Sequence, residues 1–214
     1  MINTLILDRG HATLDAKGKY ITPGKQAKLP DGRLVYEGKE NQRYTEAIAK
    51  YAFAKGFKVE YTVLPTDPTD PSLHYRVLKA NNSNNRRNSL YLSLHNNAAN
   101  GKASGTEVFT NVGQSLSDGF AEAIINEYLS ELPERKMRIE TVDGDKDKEA
   151  LFYVLKNTTM PAVLIEFGFF DNPVDYDYLS NQVIIDKFAK ATVEGIYKQV
   201  VKLYGLTAWE NRNI

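Results

Sequence analysis

Of the three histidines in this chain, two stand where an apolar run ends. The run "TLILDRGH" closes on His11 and "LYLSLH" closes on His95, while another run, "AVLIEFGF", encloses Glu166. Two further acids, Glu37 and Glu40, precede a helical pattern in "YEGKENQRYTEAIAK". Taken singly, most of these have an ordinary reading. A histidine at a strand end can bond backbone, and acids near a helix start are favoured by the helix dipole. Glu166 is harder to set aside, because a carboxylate among apolar residues costs free energy unless it is paired or used. Two imidazoles with a carboxylate are also the donor set of a hydrolytic zinc site that keeps one position for water. The chain has no cysteine, which excludes disulfides, a thiol nucleophile and thiolate ligation. Any transition metal must therefore sit on histidine and carboxylate. His74, in "PSLHYRV", falls early in a helical pattern away from any strand end and is read as structural.

The elements that must position these residues follow from apolar periodicity. The pattern predicts strands at Thr4–Asp8, Phe57–Val63, Leu90–His95, Thr106–Thr110 and Ala162–Phe167. Helical stripes alternate with them. One runs over Tyr44, Ala47, Ile48, Tyr51 and Ala52 and is closed by Gly56; a second starts with Leu73, Val77 and Ala80. A third holds Phe120, Ala123, Ile124 and Tyr128, and the longest holds Ile185, Phe188, Ala189, Thr192, Ile196 and Leu203. This alternation predicts an α/β fold, three-layer α/β/α, with a largely parallel twisted central sheet. Ligands in such folds sit at the carboxyl ends of the strands, where His11, His95 and Glu166 fall and where the helix start with Glu37 and Glu40 also arrives. Residues 12–36, with "DAKGK" and "LPDGR", predict a surface hairpin or loop, and the charged residues 136–149 a loop beside the site.

At 214 residues and 42% hydrophobic, without internal repeat or linker, the chain is expected to form a single catalytic domain over 1–205 with a short tail at 206–214. Lys+Arg and Asp+Glu are both 27, so the net charge is zero, which argues against general attraction to nucleic acid or anionic membrane. "MINTLILDRG" reads as a strand and not a signal peptide, and no window reaches the length of a membrane span.

Four segments resemble the zinc-dependent N-acetylmuramoyl-L-alanine amidases of the amidase-3 type. "LDRGH" is similar to that family's Asp-Pro-Gly-His segment, with Arg9 in place of the proline and Ala12-Thr13 in place of glycines, so the entry loop is expected to differ in shape. "YEGKENQR" is similar to its glutamate segment before a helix. "LSLHNNAANGKASGTEVF" resembles the Ser-(Leu/Ile)-His-x-Asn-Ala block leading into Gly-x-Glu-Val, and "LKNTTMPAVLIEFGFFDNP" the Met-Pro-Ala-Val-Leu-x-Glu-x-Gly-Phe-x-x-Asn block. Their order and spacing fit the chain from about residue 3 to 203.

The resemblance implies a bound Zn2+ and peptidoglycan as substrate, cut at the amide between N-acetylmuramic acid and L-alanine. Carried over position by position, it makes His11 and His95 zinc ligands and Glu166 the catalytic carboxylate. The family's ligand glutamate stands four residues before an asparagine that opens the helix. Asn41 takes that place, which selects Glu37 over Glu40 as the third ligand; the Tyr44/Ala47/Ile48 stripe gives the same register. Asp8 is expected either to orient His11 or to cap a turn. A lone amidase domain without an export signal suggests a monomeric phage or prophage endolysin, made in the host cytosol and released onto the wall, with a domain cut from a larger secreted enzyme as the alternative.

Two rival functions use the same residues. A zinc peptidase or carboxypeptidase acting on stem peptides would need a cationic anchor, and only Arg76 and Arg86, read as solvated helix residues, are at hand. A non-catalytic peptidoglycan-binding module would be expected to lack Glu166 or a ligand histidine, and this chain has them all. The substrate groove is expected to be walled by the loop at 12–36, "NNAANGKASG" and the loop at 136–149.

Overall fold

In the computed structural model, which describes residues 1–141 and 144–211, the first apolar run forms strand β1 (Thr4–Arg9), buried along its length. A small antiparallel hairpin, β2 (Gln26–Lys28) and β3 (Leu34–Tyr36), fills the segment predicted as hairpin or loop and leads straight into helix α1 (Glu37–Lys55). Strand β4 (Lys58–Tyr61), helix α2 (Leu73–Asn81), and strands β5 (Ser89–Asn97) and β6 (Glu107–Thr110) follow. Then come α3 (Leu116–Glu131), the two-residue β7 (Lys148–Glu149), α4 (Tyr153–Asn157) and β8 (Ala162–Phe169). Helices α5 (Pro173–Leu179), α6 (Gln182–Tyr204) and α7 (Leu206–Glu210) complete the described chain.

The main sheet has six strands in the order β4-β1-β5-β8-β6-β7. Strands β4, β1, β5 and β8 are parallel, whereas β6 runs antiparallel to β8 and β7 follows β6. The sheet is thus largely parallel, as predicted, with its reversed strands on one side. The chain leaves β1 for one side of the sheet (β4) and then crosses to the other (β5), so the crevice beyond β1 and β5 is a topological switch point.

Side chains alternate between the two faces of a strand, and here the alternation separates two cores. Leu5, Leu7, Leu92, Leu94, Val163, Ile165 and Phe167 join Tyr44 and Ile48 of α1, Ile124 of α3 and Phe188 of α6 in the larger core. The opposite face carries Ile6, Tyr91, Ala162 and Leu164, covered by the short helices α2 and α4 through Val77, Ala80, Val154 and Leu155, with Met160 beside them. Asp8, His95 and Glu166 have the parity of this second, thinly covered face. The short helices leave the strand ends there open.

The predicted strand at Phe57–Val63 is shortened to Lys58–Tyr61; at its start the Phe57 amide closes the end of α1 on the Ala52 carbonyl at 2.9 Å. The stripe of α2 is rotated from the predicted one: Arg76, Val77 and Ala80 are buried and Leu73 is exposed. Leu203 of α6 is likewise exposed, since the buried stripe ends at Val200. The segment 136–149 is tied to the sheet by the Thr106–Met137 bridge and by β7, and its residues 142–143 lie outside the described ones. After residue 205 the chain packs back, with Trp209 buried against Phe57 and Tyr197. Among the described residues no helix is long and apolar enough to cross a membrane.

The larger core centres on an aromatic group. Tyr44 stacks on Phe167 with ring centroids 3.9 Å apart, and Phe188 meets Tyr44, Tyr128 and Phe167 edge-on at 5.0–6.0 Å. Phe188 is fully buried. Truncating a buried aromatic removes transfer free energy and leaves a cavity, so Phe188→Ala is expected to cost about 3–5 kcal/mol in denaturant unfolding. A loss below about 1 kcal/mol would mean that this cluster does not hold α6 on the sheet.

Candidate metal centre

His11 follows β1 in a turn that bends back on itself. Its φ of 61° is the only positive value of a non-glycine residue among those described. Such a conformation costs roughly 1–3 kcal/mol and persists where surrounding contacts impose it. Two glycines show how tight those surroundings are. A Cβ on Gly10 would lie 2.2 Å from the His95 ring, and one on Gly38, in the first turn of α1, would lie 1.7 Å from the carbonyl oxygen of Ala12. The His11 turn is therefore clamped between β5 and the start of α1.

This clamp brings Glu37, the first residue of α1, between the two imidazoles. Glu37 Oε1 lies 3.1 Å from His95 Nδ1 and 3.3 Å from His11 Nε2. The His11 and His95 rings stand nearly perpendicular, centroids 5.0 Å apart. Donor atoms of the three residues lie within 4.8 Å of one another. Ligands held at about 2.0–2.2 Å from one tetrahedral ion sit roughly 3.3–3.5 Å apart, so the spacing suits a zinc-sized cation. The His11 Nε2 atom is buried and has no hydrogen-bond partner, which is the state of a nitrogen reserved for a metal. The donor set and its packing fit the implied ion.

Glu40 goes elsewhere. It is buried one turn further on, bonded to Arg43 at 2.8 Å and to the Tyr176 hydroxyl at 3.2 Å, away from both histidines. Asn41 is the hub that fixes Glu37. Its amide donates to the Gly10 carbonyl at 3.0 Å and to Glu37 Oε1 at 3.4 Å, and its Oδ1 accepts from Asn96 at 2.9 Å. Burial opposes a charge on Glu37, yet contact with His11 and His95 outweighs it and holds the carboxyl well below the ordinary range.

Glu166 is the register partner of His95 on the neighbouring strand. Its Oε2 is buried without a hydrogen-bond partner. Burial, reinforced by the charges of Glu37 and Glu107, pushes its pKa well above the ordinary carboxylate range. On its other side stands Glu107, held by Lys148 at 2.7 Å and Arg138 at 2.9 Å. The same site thus contains one acid kept charged and another driven toward the neutral form.

The surroundings of His11 differ from the expectation in two ways. Asp8 does not reach His11; it binds Thr62, Ser93 and Arg76. The carboxylate beside His11 Nδ1 is Asp70, at 3.7 Å, itself held by the Thr22 hydroxyl at 2.8 Å and by Arg76 at 2.9 Å. Burial alone would lower the His11 pKa, but Asp70 and Glu37 more than offset it and raise it above the ordinary value. Arg76 is accordingly not a solvated helix residue but a buried link between Asp8 and Asp70. Arg86, by contrast, is exposed, as is His74, whose ring meets the Tyr153 hydroxyl at 3.3 Å. Arg9, where the family has proline, donates to the carbonyls of His11 and Asp67 and so holds the entry turn itself.

His11, His95 and Glu166 open onto a cavity of about 220 Å³. Its apolar lining is Leu73, Phe152, Tyr153, Val154 and Leu164, with Lys25 the single contribution from the loop at 12–36. Among the described residues, none of the expected walls at 96–105 and 136–149 lines it. The first is folded down by Asp171, which accepts from the backbone of Ala99 and Gly101, and the second is drawn to Glu107. Asp70 and Arg76 were open to sequence reading, since a cation on an otherwise apolar stripe just after "PTDPS" signals a buried partner. Lys25, 3.5 Å from Glu37, carries no such signal.

The fold and this site can be set beside known proteins. An N-acetylmuramoyl-L-alanine amidase from Clostridium difficile 630 is 25% identical and superposes with a TM-score of 0.75 over 95% of this chain and 99% of its own. The catalytic domain of CwlV, an N-acetylmuramoyl-L-alanine amidase from Bacillus (Paenibacillus) polymyxa var. colistinus, shares the fold at a TM-score of 0.73 and 22% identity, over 93% of this chain and 98% of its own. An uncharacterized cell wall amidase of Bacillus anthracis is 27% identical over 99% of this chain but only 36% of its own length. The probable cell wall amidase LytH of Staphylococcus aureus is 29% identical over 90% of this chain and 57% of its own length. The chain thus spans well under two thirds of these two relatives. The family of amidase-3 type, described as N-acetylmuramoyl-L-alanine amidases, matches residues 5–198, and the chain belongs to that family.

Proposed function

We propose that this chain is a zinc hydrolase that cleaves the amide between N-acetylmuramic acid and L-alanine of peptidoglycan. The observation that carries the reading is the convergence of His11, Glu37 and His95 beside a buried, unpartnered Glu166 oxygen, in a chain of this family. His11, Glu37 and His95 would hold the ion, which when bound supplies a Lewis acid for the carbonyl and lowers the pKa of water.

The protein's own groups do the rest. Glu166 accepts the proton of the attacking water at Oε2 as the new C–O bond forms, then delivers it to the departing nitrogen as the C–N bond breaks. Its raised pKa suits both halves of that transfer. Glu37 stays charged, Asn41 holds its orientation, and Asp70 sets the ring of His11. Leu73, Phe152 and Tyr153 give the cavity an apolar wall beside these polar groups. A carboxypeptidase would need a free cation for a terminal carboxylate. Arg76 lines the cavity with Asp8 and Asp70 on its guanidinium, and Lys25 is drawn to Glu37.

Four outcomes are expected. Digests of purified peptidoglycan examined by mass spectrometry should contain free peptides beginning with L-alanine beside glycan strands with intact sugars. New reducing ends would instead indicate a glycosidase, and new amino termini at later stem residues a peptidase. Glu166→Gln should keep the fold and about one zinc per chain while losing most turnover, at least the roughly 10²-fold that a general acid–base supplies. Near-normal activity would remove Glu166 from the mechanism. Metal analysis should find that Glu37→Ala loses zinc and Glu40→Ala does not. Asp70→Asn should retain zinc more weakly by about 10–100-fold, read as competition with a chelator. An unchanged chelator midpoint in Asp70→Asn would leave it a purely structural residue.

A further inference from the structure

A second group of carboxylates lies outside the site. Asp118 belongs to the first turn of α3, where it closes a capping box with Ser115. Asp145 and Asp147 belong to the segment that enters β7. One oxygen from each lies within 4.8 Å of the others.

Asp147 is 1% exposed. The Thr110 hydroxyl donates to its Oδ2 at 2.7 Å, but its Oδ1 is buried with no hydrogen-bond partner. Asp145 accepts from the Gln114 amide at 3.1 Å through Oδ2, and its Oδ1 is also buried and unpartnered. An uncompensated carboxylate in that position is costly, and three together repel. Burial, with the charges of Asp145 and Asp118, pushes the Asp147 carboxyl up to about 7.

The cations that sequence places nearest do not relieve the group. In "DKDKE", Lys146 points to Asn126 at 2.6 Å and Glu122 at 3.6 Å, while Lys148 grips Glu107 at 2.7 Å. Among the described residues no lysine or arginine forms an ion pair with Asp118, Asp145 or Asp147. The interleaved lysines turn away and the aspartates turn inward, which is the pattern of a site that receives its positive charge from solution.

We propose that Asp118, Asp145 and Asp147 bind a hard divalent cation, calcium or magnesium. The donors are all oxygens, with no histidine or thiolate to favour a transition metal. Such an ion joins the start of α3, the end of β6 through Thr110, and the edge strand β7, whose pairing with β6 spans two residues. Strand β7 has only two residues, yet its Lys148 holds Glu107, the register partner of Glu166. The ion therefore anchors the edge of the sheet that presents Glu107 to the catalytic carboxylate.

The test uses zinc-loaded protein in metal-free buffer, titrated calorimetrically with calcium chloride and, separately, with magnesium chloride, and melted in each. The expected result is about one cation per chain with a Kd on the order of 10⁻⁴–10⁻³ M, the range of extracellular oxygen-ligand sites. At ten times that concentration the Tm should rise by roughly 3–6 °C. The arm in which the rise appears identifies the ion. Asp147→Asn keeps the volume and an acceptor for Thr110 but removes a charged donor, so it should weaken binding at least tenfold without altering zinc content. Asp145→Asn, at a partly exposed position, serves the same purpose if Asp147→Asn fails to fold. Absence of binding by either cation up to about 10 mM, or undiminished binding in the substituted protein, would overturn the proposal.

Discussion

Strand β8 pairs with β5 in a register that places His95 opposite Glu166, on the face of the sheet covered by the short helices α2 and α4. A slip of one residue would turn one of the pair to the other face, among Leu94, Ile165 and Phe167. Those apolar residues therefore enforce the chemistry from behind: Phe167 is fixed between Tyr44 and Phe188, and its position leaves Glu166 no choice of side. Beyond His95 the pairing shifts before Asn97. Asn96, which has the parity of Leu94, reaches Asn41 on α1 and so joins the strand end to the residue that holds Glu37.

The turn at His11 is the least favourable piece of backbone in the site, and it is stabilised by polar groups rather than by packing alone. Arg9 bonds the His11 carbonyl, Thr22 bonds the Ala12 amide at 3.0 Å, and Asn41 takes the Gly10 carbonyl. Arg76 is buried between Asp8 and Asp70, which stand on either side of the turn. Removing one member of a buried ion network leaves an uncompensated charge, at a cost of about 3–5 kcal/mol. The network thus links stability to site geometry, because the contacts that make these charges tolerable also hold Asp70 beside His11.

What was legible in the sequence is what periodicity and residue type encode. The strand ends at His11 and His95, the acid inside "AVLIEFGF" and the α1 stripe all follow from local pattern, and they were enough to draw the site residues to one edge of a parallel sheet. The antiparallel direction of β6 was not legible, since a short apolar run has the same appearance in either direction. Nor was the role of Asp8 against Asp70. Both are aspartates near His11 in space, but only the crossover from β4 to α2 decides which one arrives, and that is a property of topology. Arg76 was misread because its helix was assigned a buried Leu73; the cation on the stripe was the better guide. The groove walls were misassigned for a related reason. Loop composition does not tell which loop is folded down, and here Asp171 holds the 99–101 segment away from the cavity.

The two carboxylates at the centre share one cavity wall yet are held in opposite states, and the difference lies in what each can touch. Glu37 begins a helix, where the dipole favours an anion, and its oxygens meet two imidazoles, the Asn41 amide and Lys25. Glu166 sits in mid-strand with no donor on Oε2, facing the negative charge of Glu37 on one side and of Glu107 on the other. Each acid makes the other's state firmer: the charge retained on Glu37 is part of what makes a charge on Glu166 expensive. Lys148 and Arg138 complete the arrangement by keeping Glu107 ionised, so that it continues to act on Glu166. The roles proposed for Glu37 and Glu166, a metal ligand and a proton carrier, need these opposite environments, and this fold provides both within one pair of neighbouring strands and the helix that starts above them.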